Sequence, residues 1–158
     1  MTYLDVISLA SAKTYLRVDD TLTEDDATIS RMINGAIAFI ERATNVLFYD
    51  RQVTYLVDEN YCVYVYDGPI NSVVDPTSAN DYDVENKDLY RIYTLKNNGT
   101  EIKLNVGHSS TDNIPPDLLQ LAYELINLQY YPVNEKGIQA NLTAYQKEVL
   151  TNNKRFVL

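Results

Sequence analysis

The apolar residues between Thr23 and Thr44 recur at three- and four-residue steps: Ile29, Met32, Ile33, Ala36, Ile37, Ile40 and Ala43. That period puts them on one stripe of an α-helix, with Arg31, Asn34, Glu41 and Arg42 turned largely to water. Thr23 is placed to cap this helix. Glu24, Asp25 and Asp26 favour its positive end, and Asn45 suits a left-handed stop. Ser8 to Val18 reads as a shorter helix capped by Ser8, with Leu9, Ala12, Tyr15 and Leu16 as its apolar face. Only a few residues, with Asp19-Asp20-Thr21 as the break, separate the two, so they are expected to pack as a helical hairpin. A third helix opens at Ile114-Pro115-Pro116-Asp117, carries Leu118, Leu121, Ala122, Leu125, Ile126 and Leu128, and ends at Pro132. It is the expected partner of the helix over 23–44. Leu142 to Leu150 reads as a further short helix.

Between the long helices the period changes to two. Arg51 to Val57 and Tyr61 to Tyr66 are rich in β-branched and aromatic residues around an Asp58-Glu59-Asn60 turn, which predicts a β-hairpin. Leu89 to Leu95 and Thr100 to Val106 flank Lys96-Asn97-Asn98-Gly99, a second hairpin signal, because Asn and Gly both tolerate positive φ. In the later strand Ile102, Leu104 and Val106 alternate with Glu101, Lys103 and Asn105, one face buried and one wet. Asn71 to Val74 reads as a short strand stopped by Asp75-Pro76, and 77–88 as a long acidic loop with a brief strand. These patterns predict an α+β fold: an antiparallel helix-pair core with two β-hairpins inserted between the long helices and a flexible C-terminal tail. A single domain is expected over 1–150, with the tail over 151–158.

Composition adds bounds. At 158 residues one domain can bury roughly two-thirds of its unfolded surface. The chain has 14 tyrosines, 3 phenylalanines and no tryptophan. Tyrosine suits half-buried strands and contact surfaces, since its ring packs while its hydroxyl stays wet. A formal net charge of −9 argues against general affinity for phosphate backbones or anionic membranes. One cysteine excludes an internal disulfide. MTYLDVISLASAK lacks a basic region followed by a long apolar run, so no signal peptide is expected, and no stretch approaches a membrane span. A soluble protein, intracellular when made, is the expectation.

Candidate chemistry is sparse. His108 is the single histidine and Cys62 the single cysteine, the first in a polar loop and the second inside a strand. A Ser–His–Asp, Cys–His or zinc site built on them is not expected. Carboxylates cluster at Asp19, Asp20, Glu24, Asp25 and Asp26, and again at Asp81, Asp83, Glu85 and Asp88. The second cluster resembles part of a calcium loop but lacks its glycine and distal glutamate, so capping and solvated surface account for both. No phosphate-cradling glycine loop is present. The reading is therefore no catalytic, cofactor-binding or metal residue, and no enzyme.

The order of signals resembles a known family. An S-L-A-x-A-K-x-Y-L-R-V-D helix leads to an acidic cap and a helix ending I-E-R-A-T-N. A hairpin, a D-G-P-I-N-S-V segment, a D-Y-D-V segment and V-G-H then precede an I-P-P-D-L-L-Q-L-A helix ending Q-Y-Y. Over Val6 to Tyr131 this is similar to the head–tail connector (adaptor) proteins of tailed bacteriophages. The resemblance implies a virion neck protein, made in the host cytoplasm and forming a ring, commonly of twelve copies. Its partners would be the portal protein and the next neck or tail protein, with DNA passing through the lumen unbound and no membrane involved. It implies no cofactor. Another virion tail-completion module, or a small carboxylate-dependent hydrolase, is the alternative.

From Pro132 to Leu158 the chain holds four cations (Lys136, Lys147, Lys154, Arg155) against Glu135 and Glu148, ending Phe156-Val157-Leu158. In some connector relatives the C-terminal segment embeds in the portal. The resemblance therefore implies that Lys154, Arg155, Phe156 and Leu158 contact the portal. Removing 151–158 is expected to leave the unfolding midpoint nearly unchanged while abolishing head–tail joining.

Overall fold

The computed structural model describes residues 2–96, 98–132 and 142–155. Five helices lie among them: α1 (Tyr3–Val6), α2 (Leu9–Leu16), α3 (Asp26–Thr44), α4 (Pro116–Tyr130) and α5 (Ala144–Asn152). The stretches with helical period fold locally much as their sequence dictates. The Ser8 hydroxyl caps α2 by accepting the Ser11 N–H at 3.1 Å, and Asn45 ends α3 at φ 58°. Helix α3 begins at Asp26 and not at Thr23, and the Asp26 carboxylate pairs outside the cap. The buried ammonium of Lys13 sits 2.5 Å from Asp26 Oδ1 and donates to the Leu22 and Asp20 carbonyls at 2.6 and 3.3 Å. The 19–25 loop is thereby wound round a cation, and Asp25 at the cap makes no capping bond with its side chain.

Ile29, Ile33, Ile37 and Ile40 of α3 are fully buried with Leu118, Leu121, Leu125 and Ile126 of α4. Each contributes about 1.5–3 kcal/mol of transfer free energy. Helices α3 and α4 make the most extensive helix–helix contact, and Ile7, Ala12, Leu16, Leu142 and Val149 bring α1, α2 and α5 into the same core. Glu41 is an exception to the expected face. It lies four residues after Ile37, on the stripe, and is 5% exposed.

The strands are β1 (Arg51–Leu56), β2 (Cys62–Val65), β3 (Ile70–Asp75), β4 (Tyr82–Asn86), β5 (Arg91–Leu95) and β6 (Glu101–Val106). They form two three-stranded antiparallel sheets, ordered β1-β6-β3 and β2-β5-β4. The helix-pair core with two inserted hairpins is thus not the arrangement adopted. Strand β1 pairs with β6 from Arg51↔Val106 to Leu56↔Glu101, and β2 pairs with β5, so neither expected hairpin exists. Asn98 does adopt positive φ, 49°, but the connection it lies on carries the chain from one sheet to the other.

The reason is burial. Tyr93 and Leu95 from β5 share one apolar cluster with Ile102, Leu104 and Val106 from β6. As a hairpin these strands would line up in a single sheet, with one apolar face and nothing to cover it. In two layers they cover each other. The local pair that does form is β4–β5, across 87–90. Nor is the stretch from 151 a separate tail at its start: Thr151 and Asn152 belong to α5, and Arg155 is bonded to the body of the protein.

Candidate assembly surfaces

The helical core and the sheets meet at the segment 45–49. Val46 and Phe48 point into the helical core while Leu47 points into the sheet core, an alternation that only extended backbone provides. Leu47 N–H donates to Gly68 O at 2.8 Å, and His108 N–H donates to Leu47 O at 3.1 Å. The Glu41 carboxylate completes the joint. Its Oε1 accepts the Phe48 N–H at 2.8 Å and Arg51 Nη1 at 3.1 Å. Its Oε2 accepts Arg51 Nη2 at 2.9 Å and the Tyr3 hydroxyl at 2.7 Å. Four donors on two oxygens satisfy a buried charge that would otherwise be costly. Burial and the bond to Glu41 push the Tyr3 hydroxyl up to about 12. Burial disfavours the Arg51 charge, but pairing with Glu41 outweighs it and the pKa rises. The signal for this site was present in the sequence, a carboxylate at helical spacing from buried isoleucines.

The C-terminal candidates are divided. Arg155 is half-buried: its N–H donates to Thr44 O at 2.8 Å and its Nε to Tyr66 O at 3.2 Å. Burial first, and Arg91 second, hold its pKa below the usual arginine range, with Asp67 opposing. Lys154 lies on a groove between α3 and α5. Phe156 and Leu158 lie outside the described residues.

The other candidates lie apart from one another in the fold. Cys62 is half-buried on β2, with Sγ 3.3 Å from Thr94 Oγ1. His108 is half-buried too, not exposed. Its Nε2 is buried without a hydrogen-bond partner among the described residues, and burial together with Arg155 lowers its pKa. In the first acidic cluster Asp19 accepts from Thr21, Asp25 from the Tyr130 hydroxyl at 2.7 Å, and Asp26 pairs with Lys13. In the second, Asp83 pairs with Lys96 at 2.8 Å and Glu85 with Lys87. Among the described residues no three His, Cys, Asp or Glu side chains come together as metal ligands. No described helix is long and apolar enough to cross a membrane.

The tyrosines divide between core and surface. Tyr93 is buried, whereas Tyr64 is 51% exposed beside Tyr90, whose ring centroid is 6.1 Å away and itself 5.2 Å from that of Tyr66. The outer face of β2–β5 is therefore aromatic, a composition enriched at protein contacts.

The fold is shared with chains of solved particles. A chain from the neck of an empty gene transfer agent particle, determined with sixfold symmetry, superposes with a TM-score of 0.73 at 17% identity, over 97% of this chain and 91% of that one. A chain from the virion of a native gene transfer agent particle superposes with a TM-score of 0.72 at 18% identity, over 100% of this chain and 94% of that one. No family model and no curated protein matches the sequence. At these identities the likeness is one of fold.

Proposed function

We propose that this chain is a structural protein of a virion neck, assembled as a ring beneath the portal, joining head to tail and letting DNA pass. The observation that carries this reading is a fold shared over almost the whole length of both chains with components of a gene transfer agent neck and virion. The connector-like order of sequence signals supports it independently. The role needs no catalysis and no cofactor. A net charge of −9 suits it, because a lumen that repels phosphates lets a duplex slide. The C-terminal end, Lys154, Arg155, Phe156 and Leu158, contacts the portal in this proposal.

An epitope tag on the chain, visualised by electron microscopy of purified particles, tests the reading. Label at the head–tail junction is expected. Loss of the gene should give full heads and free tails that do not join. Label on the shell or tail tip, or absence from purified particles, overturns it.

A further inference from the structure

Two guanidinium groups and an imidazole meet where the chain leaves β2. Val65 pairs with Arg91 at the start of β5, and the next residue, Tyr66, accepts the Arg155 Nε–H on its carbonyl at 3.2 Å. The Arg155 guanidinium then lies over Gly68, where a Cβ would stand 2.5 Å from its Nη1. His108 reaches the same turn from the end of β6. Leu47 accepts the His108 N–H at 3.1 Å and gives its own N–H to Gly68 O at 2.8 Å, while Gly107 N–H donates to Pro69 O at 2.7 Å. All three side chains are half-buried. Arg91 also lines a cleft of about 330 Å³ with Ile70, Asn71 and Tyr82, which leaves its side chain open to solvent.

These groups lack a counter-charge. Among the described residues neither Arg91 nor Arg155 has an ion pair, although the chain as a whole is strongly acidic. Asp67, the carboxylate in the turn itself, accepts the Tyr55 hydroxyl at 2.6 Å and pairs with neither. The Nε2 of His108 is buried with no hydrogen-bond partner among the described residues. After burial, Arg91 is the main influence that lowers the Arg155 pKa, and Arg155 acts likewise on His108. Like charges gathered in partial burial destabilise one another until an anion joins them.

We infer that Arg91, Arg155 and His108 form a binding site for a phosphate dianion. The two guanidinium forks match its oxygens, and the imidazole supplies a ring nitrogen that can donate to it. Charge selects this ligand. Two fixed cations balance a phosphate of about −1.5 to −2 near pH 7, whereas a carboxylate carries one charge. A duplex brings one charge per phosphate, with a long run of others that a chain of net charge −9 repels. The free ion and a phosphate monoester share the chemistry the site recognises. The site does not depend on the neck reading, and its failure would leave that reading standing.

The test follows the imidazole signals of the single histidine by NMR while inorganic phosphate replaces chloride at constant ionic strength and neutral pH. In the full-length parent protein His108 should shift saturably, with a half-point near about 1 mM. Saturation separates a site from the general stabilisation that phosphate gives by exclusion from protein surfaces. Arg91→Gln should raise the half-point about tenfold or more, and Arg91→Lys, which keeps the charge and loses the fork, should fall between. A nucleoside monophosphate distinguishes the sources: a half-point lower than that of inorganic phosphate assigns the ester, and a higher one assigns the free ion. No saturable shift in the parent, or equal half-points in the parent and Arg91→Gln, overturns the site. So does acetate if it matches phosphate, or a DNA duplex if it acts at a lower phosphate concentration than the free ion and the monophosphate.

Discussion

The guanidinium of Arg155 lies so close over Gly68 that a methyl group added there would sit 2.2 Å from its Cζ. The clash is with the far end of a flexible side chain, so Gly68→Ala should evict the guanidinium and spare the turn. The cost is the Arg155 Nε bond to Tyr66 O, about 1 kcal/mol in urea unfolding. Arg155→Ala should cost about the same. The double variant should cost little more than either single one, because the two changes remove one interaction.

Removal of 151–158 should destabilise the protein, contrary to the expectation for a loose tail. It deletes the end of α5, the Arg155 bonds to Thr44 O and Tyr66 O, and the Asn153 bond to Asp117 Oδ2 at 2.7 Å. A loss of about 2 kcal/mol or more is expected, seen as a fall of roughly 4–8 °C in the melting midpoint. An unchanged midpoint in scanning calorimetry would show that these bonds contribute nothing.

Glu41→Ala should cost on the order of 3–5 kcal/mol in chemical denaturation. It strands the Arg51 guanidinium, the Phe48 N–H and the Tyr3 hydroxyl at the joint between the two cores. Glu41→Gln keeps the shape and loses the charge, so it should fall between the alanine variant and the parent.

His108 should make stability fall with acid. Its folded pKa lies below the ordinary value of 6.5, because burial and Arg155 disfavour the imidazolium. Above that ordinary value the group is neutral in both states and contributes nothing. As pH falls from 6.5 towards the folded pKa, the unfolded chain takes up the proton first, so stability is lost over that window. Melting midpoints of the parent and of His108→Gln, compared between pH 7 and pH 5, should diverge, the parent falling further. Parallel curves would mean that His108 titrates alike in both states.

The helices were legible because their cause is local. Ile29, Ile33, Ile37 and Ile40 declare a face, Ser8 declares a start and Asn45 a stop, within a few residues of one another. Strand pairing has no such local cause. The alternation in Thr100 to Val106 says which face is buried, yet nothing in those residues says that Leu104 opposes Val53 and Val73 and not a residue across the Asn98-Gly99 turn. Charge patterning misled in the same way. Glu41 and Lys13 look solvated on any scale, and each is buried because partners distant in sequence or in the next loop converge on it. For the C-terminal candidates, basic and apolar composition pointed to an end seeking a partner, and could not show that Arg155 finds carbonyls on its own domain.

The interleaving of the two sheets also sets how the chain is born. Strand β6 is the centre of its sheet and the last of the six in sequence, so β1 and β3 have no ladder partner until it is made. A nascent chain that has left the ribosome only as far as residue 100 carries those two strands with open edges, which invite pairing with other chains. The layer that depends on β6 must then close late and together. A fragment ending before Glu101 should stay unfolded or aggregate, and a cut in any strand should cost the whole domain.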